Sequence, residues 1–96
     1  NLCYGVYAVS VKIYKQKYIK YVFNGIANYG VKPTFFSLKP TLEVNIFDFN
    51  ELIYGELVEI TFKYFIRKEK KFDNIIDLQK QIKSDIVQAR NFLKDE

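Results

Sequence analysis

Ninety-six residues, 49% of them hydrophobic, suffice for one compact core and exclude two independent domains, because a chain of this length buries only about two-thirds of its unfolded surface. Fifteen basic against eleven acidic residues give a formal net charge of +4, which favours an anionic ligand without defining one. No apolar run approaches the roughly 20 residues of a membrane-spanning helix, so a soluble domain with no membrane partner is expected.

Nine Phe and eight Tyr favour strands over a helical bundle, since aromatic side chains suit a pleated, half-buried surface. The single cysteine, Cys3, cannot form an internal disulfide, and with no signal-peptide pattern it predicts a reducing, cytoplasmic setting. Residues 6–14 alternate, with Tyr7, Val9, Val11 and Ile13 on one face and Ala8, Ser10, Lys12 and Tyr14 on the other. After a polar break at residues 15–17, the stretch 18–28 reads as the second arm of a hairpin. Asn24-Gly25 could itself be a tight turn or stand at the head of a strand. Asn28-Tyr29-Gly30 and Lys32-Pro33-Thr34 predict two sharp changes of direction, the kind of backbone that carries a binding loop.

Residues 41–49 predict a further strand, with Leu42, Val44 and Ile46 on one face and Thr41, Glu43 and Asn45 on the other. Glu43 therefore points away from the apolar stripe. Residues 57–66 alternate again, with Val58, Ile60, Phe62, Tyr64 and Ile66 inward. From Ile75 the period becomes helical, as Ile75, Leu78, Ile82, Ile86, Ala89 and Leu93 recur at spacings of three and four. Asn74 is a good N-cap with Asp77 three residues on, while Asp95 and Glu96 oppose the helix dipole and predict a frayed end. One domain over 1–96 follows, with strands to about residue 66 and a helix over about 74–93.

Several segments in this order carry more than periodicity. GVYAV is followed by GIANYGVKPTF, LEVNIFDF, LIYGE and IRKEKKFDN. In sequence and spacing the chain resembles the riboflavin kinase domain of bacterial bifunctional riboflavin kinase/FAD synthetases, whose pattern reads GVYAV, GxANxGxxPTF, LEVHxxDF, LYG and LRxExKF. The resemblance covers nearly the whole chain. It implies a mainly β fold, an antiparallel Greek-key-like barrel with a C-terminal α-helix, and transfer of the ATP γ-phosphoryl group to the riboflavin 5′-hydroxyl to give FMN and ADP. The residues around the turn at 15–17 exceed the family pattern, and roughly residues 19–23 are expected in an extended hairpin tip.

By the same resemblance Glu43 is the base that takes the hydroxyl proton, a task one positioned carboxylate can perform. A strand glutamate is otherwise an ordinary solvated side chain. Arg67, Lys70 and Phe72 fall on the flavin-contacting positions, where an aromatic ring and a planar guanidinium can pack on isoalloxazine; without the family context residues 67–71 read as a solvated charge run. Ile46, Asp48 and Tyr54 fall on the nucleotide wall, against bland readings as core packing, turn acceptor and part-buried phenol. Asn28, Gly30, Pro33 and Thr34 are expected to shape a flap beside the flavin and phosphates.

Two departures qualify the match. Asn45 replaces the usual His of LEVH. The family's GFPTAN segment, whose Thr and Asn hold Mg²⁺ and the ATP phosphates, is absent, so the resemblance implies no metal ligand in this chain, Mg²⁺ ligands upstream, and an upstream adenylyltransferase domain. A fragment with little activity alone is expected, whose first strand leaves an unpaired edge. Two other functions stay open: a non-catalytic flavin- or nucleotide-binding module, and, ranked below it, a barrel that binds single-stranded nucleic acid through Lys and Tyr. On the leading reading nucleic acid is not a partner.

Overall fold

A computed structural model describes residues 2–33 and 35–94 of the chain. Strands β1 (Gly5–Ile13), β2 (Phe23–Pro33), β3 (Leu38–Ile46) and β4 (Val58–Lys68) precede one helix, α1 (Ile75–Leu93). All four strands join one antiparallel sheet in the order β3-β2-β1-β4. Three strands follow one another as neighbours and the fourth returns beside the first, which is Greek-key order.

The expectation of an unpaired first strand is corrected. β1 is central, and β3 and β4 form the edges. The reason lies in its composition: apolar side chains on both faces make β1 the strand that loses most by facing water. Tyr7, Val9, Val11 and Ile13 form one buried cluster with Tyr18 and Ala27, against which Ile60, Phe62, Val44 and Ile46 pack. On the opposite face Ala8 is buried with Phe47 and with Ala89 and Leu93 of α1.

The second hairpin arm begins later than the alternation predicts. Residues 16–20 form a turn in which the Tyr18 and Ile19 amides donate to the Lys15 carbonyl at 2.8 and 2.9 Å. Tyr18 is 6% exposed and meets Phe23 and Phe49 edge to face at 6.0 and 5.3 Å. The extra residues lie in the connection of the β1–β2 hairpin, as expected, and within it Tyr18 folds back as a stopper, because a phenol ring gains more by closing the core than by extending an exposed strand. Asn24 and Gly25 lie inside β2, opposite Ser10 and Val9.

The segment expected to turn twice stays extended. Asn28, Gly30 and Pro33 are residues of β2, opposite Glu43, Thr41 and Leu38 of β3. Pro33 ends the strand and Pro40 lies on an edge strand, where a missing N–H costs least. Thr34 lies outside the described residues, as do Asp95 and Glu96 with their expected fraying.

β4 departs from simple alternation through two register shifts against β1, between Val6 and Tyr7 and between Ala8 and Val9. Phe62 faces the inner cluster, as predicted. Tyr64 and Ile66 instead turn to the helix: Tyr64 stacks on Phe92 at 4.9 Å, and Ile66 packs with Ala8, Ala89 and Leu93. Phe65 takes the inner side, 5.2 Å from the Tyr7 ring. At this bulge a Cβ on Gly5 would collide with the Arg67 carbonyl and the Phe65 ring, so only glycine lets the strands approach there.

α1 starts where the capping pattern places it. The Asn74 side chain accepts from the Asp77 amide at 2.9 Å and donates to the Asp77 carboxylate at 3.1 Å. Only the C-terminal half of the predicted apolar stripe is buried. Ala89 and Leu93 are covered, whereas Ile75, Leu78 and Ile82 are 67%, 36% and 43% exposed.

Two outcomes follow from this packing. Ile13→Ala, at a fully buried position, should lower the unfolding free energy by about 2–5 kcal/mol, and Asn74→Ala by about 1 kcal/mol, both measured by urea titration. The stopper should respond to pH. Lys17 lies 2.7 Å from Glu51, and hydrogen bonds from Lys17 and Tyr18 hold the Glu51 carboxyl below its ordinary value. Glu51 in turn raises Lys17 and Tyr18. A depressed acid stabilises above its unfolded pKa and loses that contribution as pH falls through its folded value; the raised groups lose theirs at the alkaline end. Between about pH 6 and 3, Glu51→Gln should therefore lose stability less steeply than the wild type.

Candidate functional site

The unburied half of α1 has a geometric consequence. Where the helix stands off the sheet, a cavity of about 330 Å³ opens between β2 and β3, the end of β4 and the first turns of α1. Val6 and Ile26 contribute to its apolar lining, and Leu78 and Ile82 contribute from the helix. Its polar groups come from five separate segments. Asn28 and Glu43 face it from paired strand positions, Arg67 from the end of β4, and Glu69, Lys70 and Phe72 from the connection to α1; Asp85 contributes from the helix.

Glu43 is on the sheet face opposite Val44 and Ile46, as alternation predicts. Its Oε1 lies 2.8 Å from Lys32 Nζ, with both side chains more than half exposed. An ion pair so open to water is worth about 0–1 kcal/mol, so the carboxylate can change partners at little cost.

Phe72 carries a cation on either approach, Arg67 at 5.8 Å and Lys70 at 5.5 Å from its ring centroid. The Arg67 guanidinium is held on its other side. Nε donates to both Asp85 oxygens at 2.9 and 3.0 Å, Nη2 donates to Oδ2 at 2.8 Å, and Nη1 donates to the Lys68 carbonyl at 3.1 Å. Gln81 Nε2 adds a further bond to Asp85 at 3.0 Å.

The cavity thus collects Glu43, Arg67, Lys70, Phe72 and Asn28 from the sequence-predicted set. Gly30 serves it indirectly: the Glu69 carboxylate rests in the space that a Cβ at residue 30 would take, so a larger residue there would displace that side chain. The three residues expected to form one nucleotide wall are not brought together. Ile46 packs against the inner cluster, Asp48 pairs with Arg90 at 3.3 Å near the far end of α1, and Tyr54 stands 89% exposed on the β3–β4 connection. Asp48 also holds a positive φ of 57°, a turn conformation that Asp tolerates better than most residues.

Glu69 holds the fixed Glu of LRxExKF, although the resemblance gives it no role, whereas Asp85 in the cavity and Gln81 that braces it are singled out by neither the periodicity nor the motifs. For Asp85 a signal exists. The stripe Ile75, Leu78, Ile82, Asp85, Ala89 keeps strict spacings of three and four, so an acid sits where only an apolar residue or a paired charge is stable. Among the described residues no group of three or more His, Cys, Asp or Glu is placed to hold a metal ion. The described side chains do not by themselves fit a metal centre.

Comparison with known proteins bears on this constellation. A family model described as "Flavokinase: Riboflavin kinase" matches residues 2–93. The bifunctional riboflavin kinase/FMN adenylyltransferase of Haemophilus influenzae is 44% identical over 88 residues, covering 92% of this chain and 27% of that protein. The RNA-binding riboflavin kinase RibR of Bacillus subtilis is 45% identical over 83 residues, covering 85% of this chain and 34% of that protein. A crystal structure described as a macrolide-efflux protein from Streptococcus pneumoniae superimposes with a TM-score of 0.77 at 40% identity, over 92% of this chain and 27% of that one. No helix among the described residues here is long and apolar enough to cross a membrane. The chain therefore spans about a quarter of the length of the Haemophilus relative, and by a match over residues 2–93 it belongs to the riboflavin kinase family.

Proposed function

We propose that this chain forms the riboflavin-binding and base-bearing part of a riboflavin kinase that transfers the ATP γ-phosphoryl group to the riboflavin 5′-hydroxyl. The observation that carries the reading is one cavity in which Glu43 shares its walls with Arg67, Lys70 and Phe72. Its volume of about 330 Å³ lies at the lower end of the roughly 300–1,000 Å³ range of small-molecule sites.

The ring system and the sugar chain need different surroundings. Phe72, with Leu78 and Ile82, offers an apolar wall to the isoalloxazine, and Arg67 and Lys70 offer donors to its carbonyl oxygens. The exposure of Leu78 and Ile82 on the first half of α1 fits this use, because a flat apolar ligand in the cavity would cover them. The ribityl chain then runs toward Glu43 and Asn28. Glu43 accepts the 5′-hydroxyl proton as the oxygen attacks the γ-phosphorus; the bond to the β-phosphate oxygen breaks, and ADP leaves with that electron pair. Lys32, now at 2.8 Å from Glu43, can follow the negative charge to the phosphoryl oxygens.

For the nucleotide, Tyr54 supplies an exposed aromatic platform; Ile46 acts behind it through packing, and Asp48 stays with Arg90. The β2–β3 hairpin, with Asn28, Gly30 and Pro33, serves as the flap. Mg²⁺ would neutralise the transferring phosphates, and we place its protein ligands outside the described residues. On this reading an adenylyltransferase lies elsewhere in the same polypeptide and the protein works in the cytoplasm.

The test uses the intact parent protein. Glu43→Gln should leave quenching of riboflavin fluorescence in place and lower turnover by roughly 10²- to 10⁴-fold, the range of general-base catalysis. Unchanged turnover removes Glu43 from the chemistry. A parent that fails to quench riboflavin, yet binds oligonucleotides with strong salt dependence, overturns the kinase reading in favour of nucleic-acid binding.

A further inference from the structure

Asp85 is the buried charged side chain among the described residues, at 2% exposure. It sits where α1 parts from the sheet. Beyond it Ala89 and Leu93 are covered, and before it Leu78 and Ile82 face the cavity. Fastening the helix at this point does not require charge, since a buried ion pair is commonly no better than a well-packed apolar one. Tyr64 against Phe92 and Ile66 against Ala89 already fasten it that way.

What the pair adds is orientation. Three of the five Arg67 N–H groups are committed, to Asp85 through Nε and Nη2 and to the Lys68 carbonyl through Nη1. One N–H on each terminal nitrogen and the face of the guanidinium remain for a ligand. Gln81 braces the Asp85 carboxylate from the same helix at 3.0 Å. The same cavity holds Glu43 and Glu69, either of which would attract a guanidinium free to swing.

We propose that Asp85 is a positioning residue for flavin binding: it holds the Arg67 guanidinium in one plane for the isoalloxazine and keeps it away from Glu43. This rests on the riboflavin reading above. Asp85 touches no substrate and acts through Arg67.

The intact parent protein carrying Asp85→Asn tests it, with folding checked by far-ultraviolet circular dichroism. Riboflavin affinity, read by fluorescence quenching, should weaken by about tenfold, the effect of losing one oriented polar contact. The KM for ATP should stay unchanged. Gln81→Leu, at a half-buried brace, should weaken riboflavin in the same direction by a smaller factor, and it decides the question if Asp85→Asn does not fold.

A lower melting temperature with riboflavin affinity unchanged would make the pair a fastening only, and the inference would fall while the kinase reading stood. Wild-type parent that does not quench riboflavin would remove the reading beneath it.

Discussion

The two register shifts between β1 and β4 are the constraint from which the rest of the structure follows. A strand in plain alternation would give the helix every second residue. By stepping twice against its neighbour, β4 gives Tyr64, Ile66 and Arg67 to the helix side while Phe65 still reaches the inner cluster. One short stretch thereby provides an aromatic stack, an aliphatic contact and an ion pair. The shift between Val6 and Tyr7 sits beside Gly5, which leaves room for the β4 backbone.

Those contacts fall on the second half of α1 only. A helix packed along its whole length would bury Ile75, Leu78 and Ile82 and leave no cavity. Stability and ligand access are divided along one element, with the covered half securing the sheet and the open half lining the site. The charges divide in a similar way: Asp85 is enclosed with its partner, whereas Glu43 faces water through a weak, exchangeable pair.

Much of this is legible in the sequence. The core stripe of β1, the outward direction of Glu43 and the Asn74 cap each follow from local period and side-chain chemistry, and the structure places them as expected. Glycine and proline mislead. Asn28-Tyr29-Gly30 and Lys32-Pro33 carry turn chemistry, yet Gly30 lies in a strand paired with Thr41, with the Glu69 carboxylate folded against it from 39 positions away, which no local pattern encodes. Tyr18 misleads in the opposite sense, since alternation cannot tell a strand aromatic from one folded back as a stopper. A period of two assumes an unbroken register, which is why it sends Tyr64 and Ile66 inward. Asp85 is hidden when the helical stripe is read through Ile86, although its own position in that stripe is visible.

The central place of β1 has a consequence for biosynthesis. Gly5 pairs with Lys68 and Ile13 with Val58, so one whole side of the first strand waits for residues that leave the ribosome last among the strands. Until then the most apolar segment of the chain has only β2 and β3 for shelter, and closing so long a loop is slow compared with forming a hairpin. During synthesis this domain therefore passes through a period in which its future core is the stickiest surface on the nascent polypeptide, and the arrival of β4 ends it.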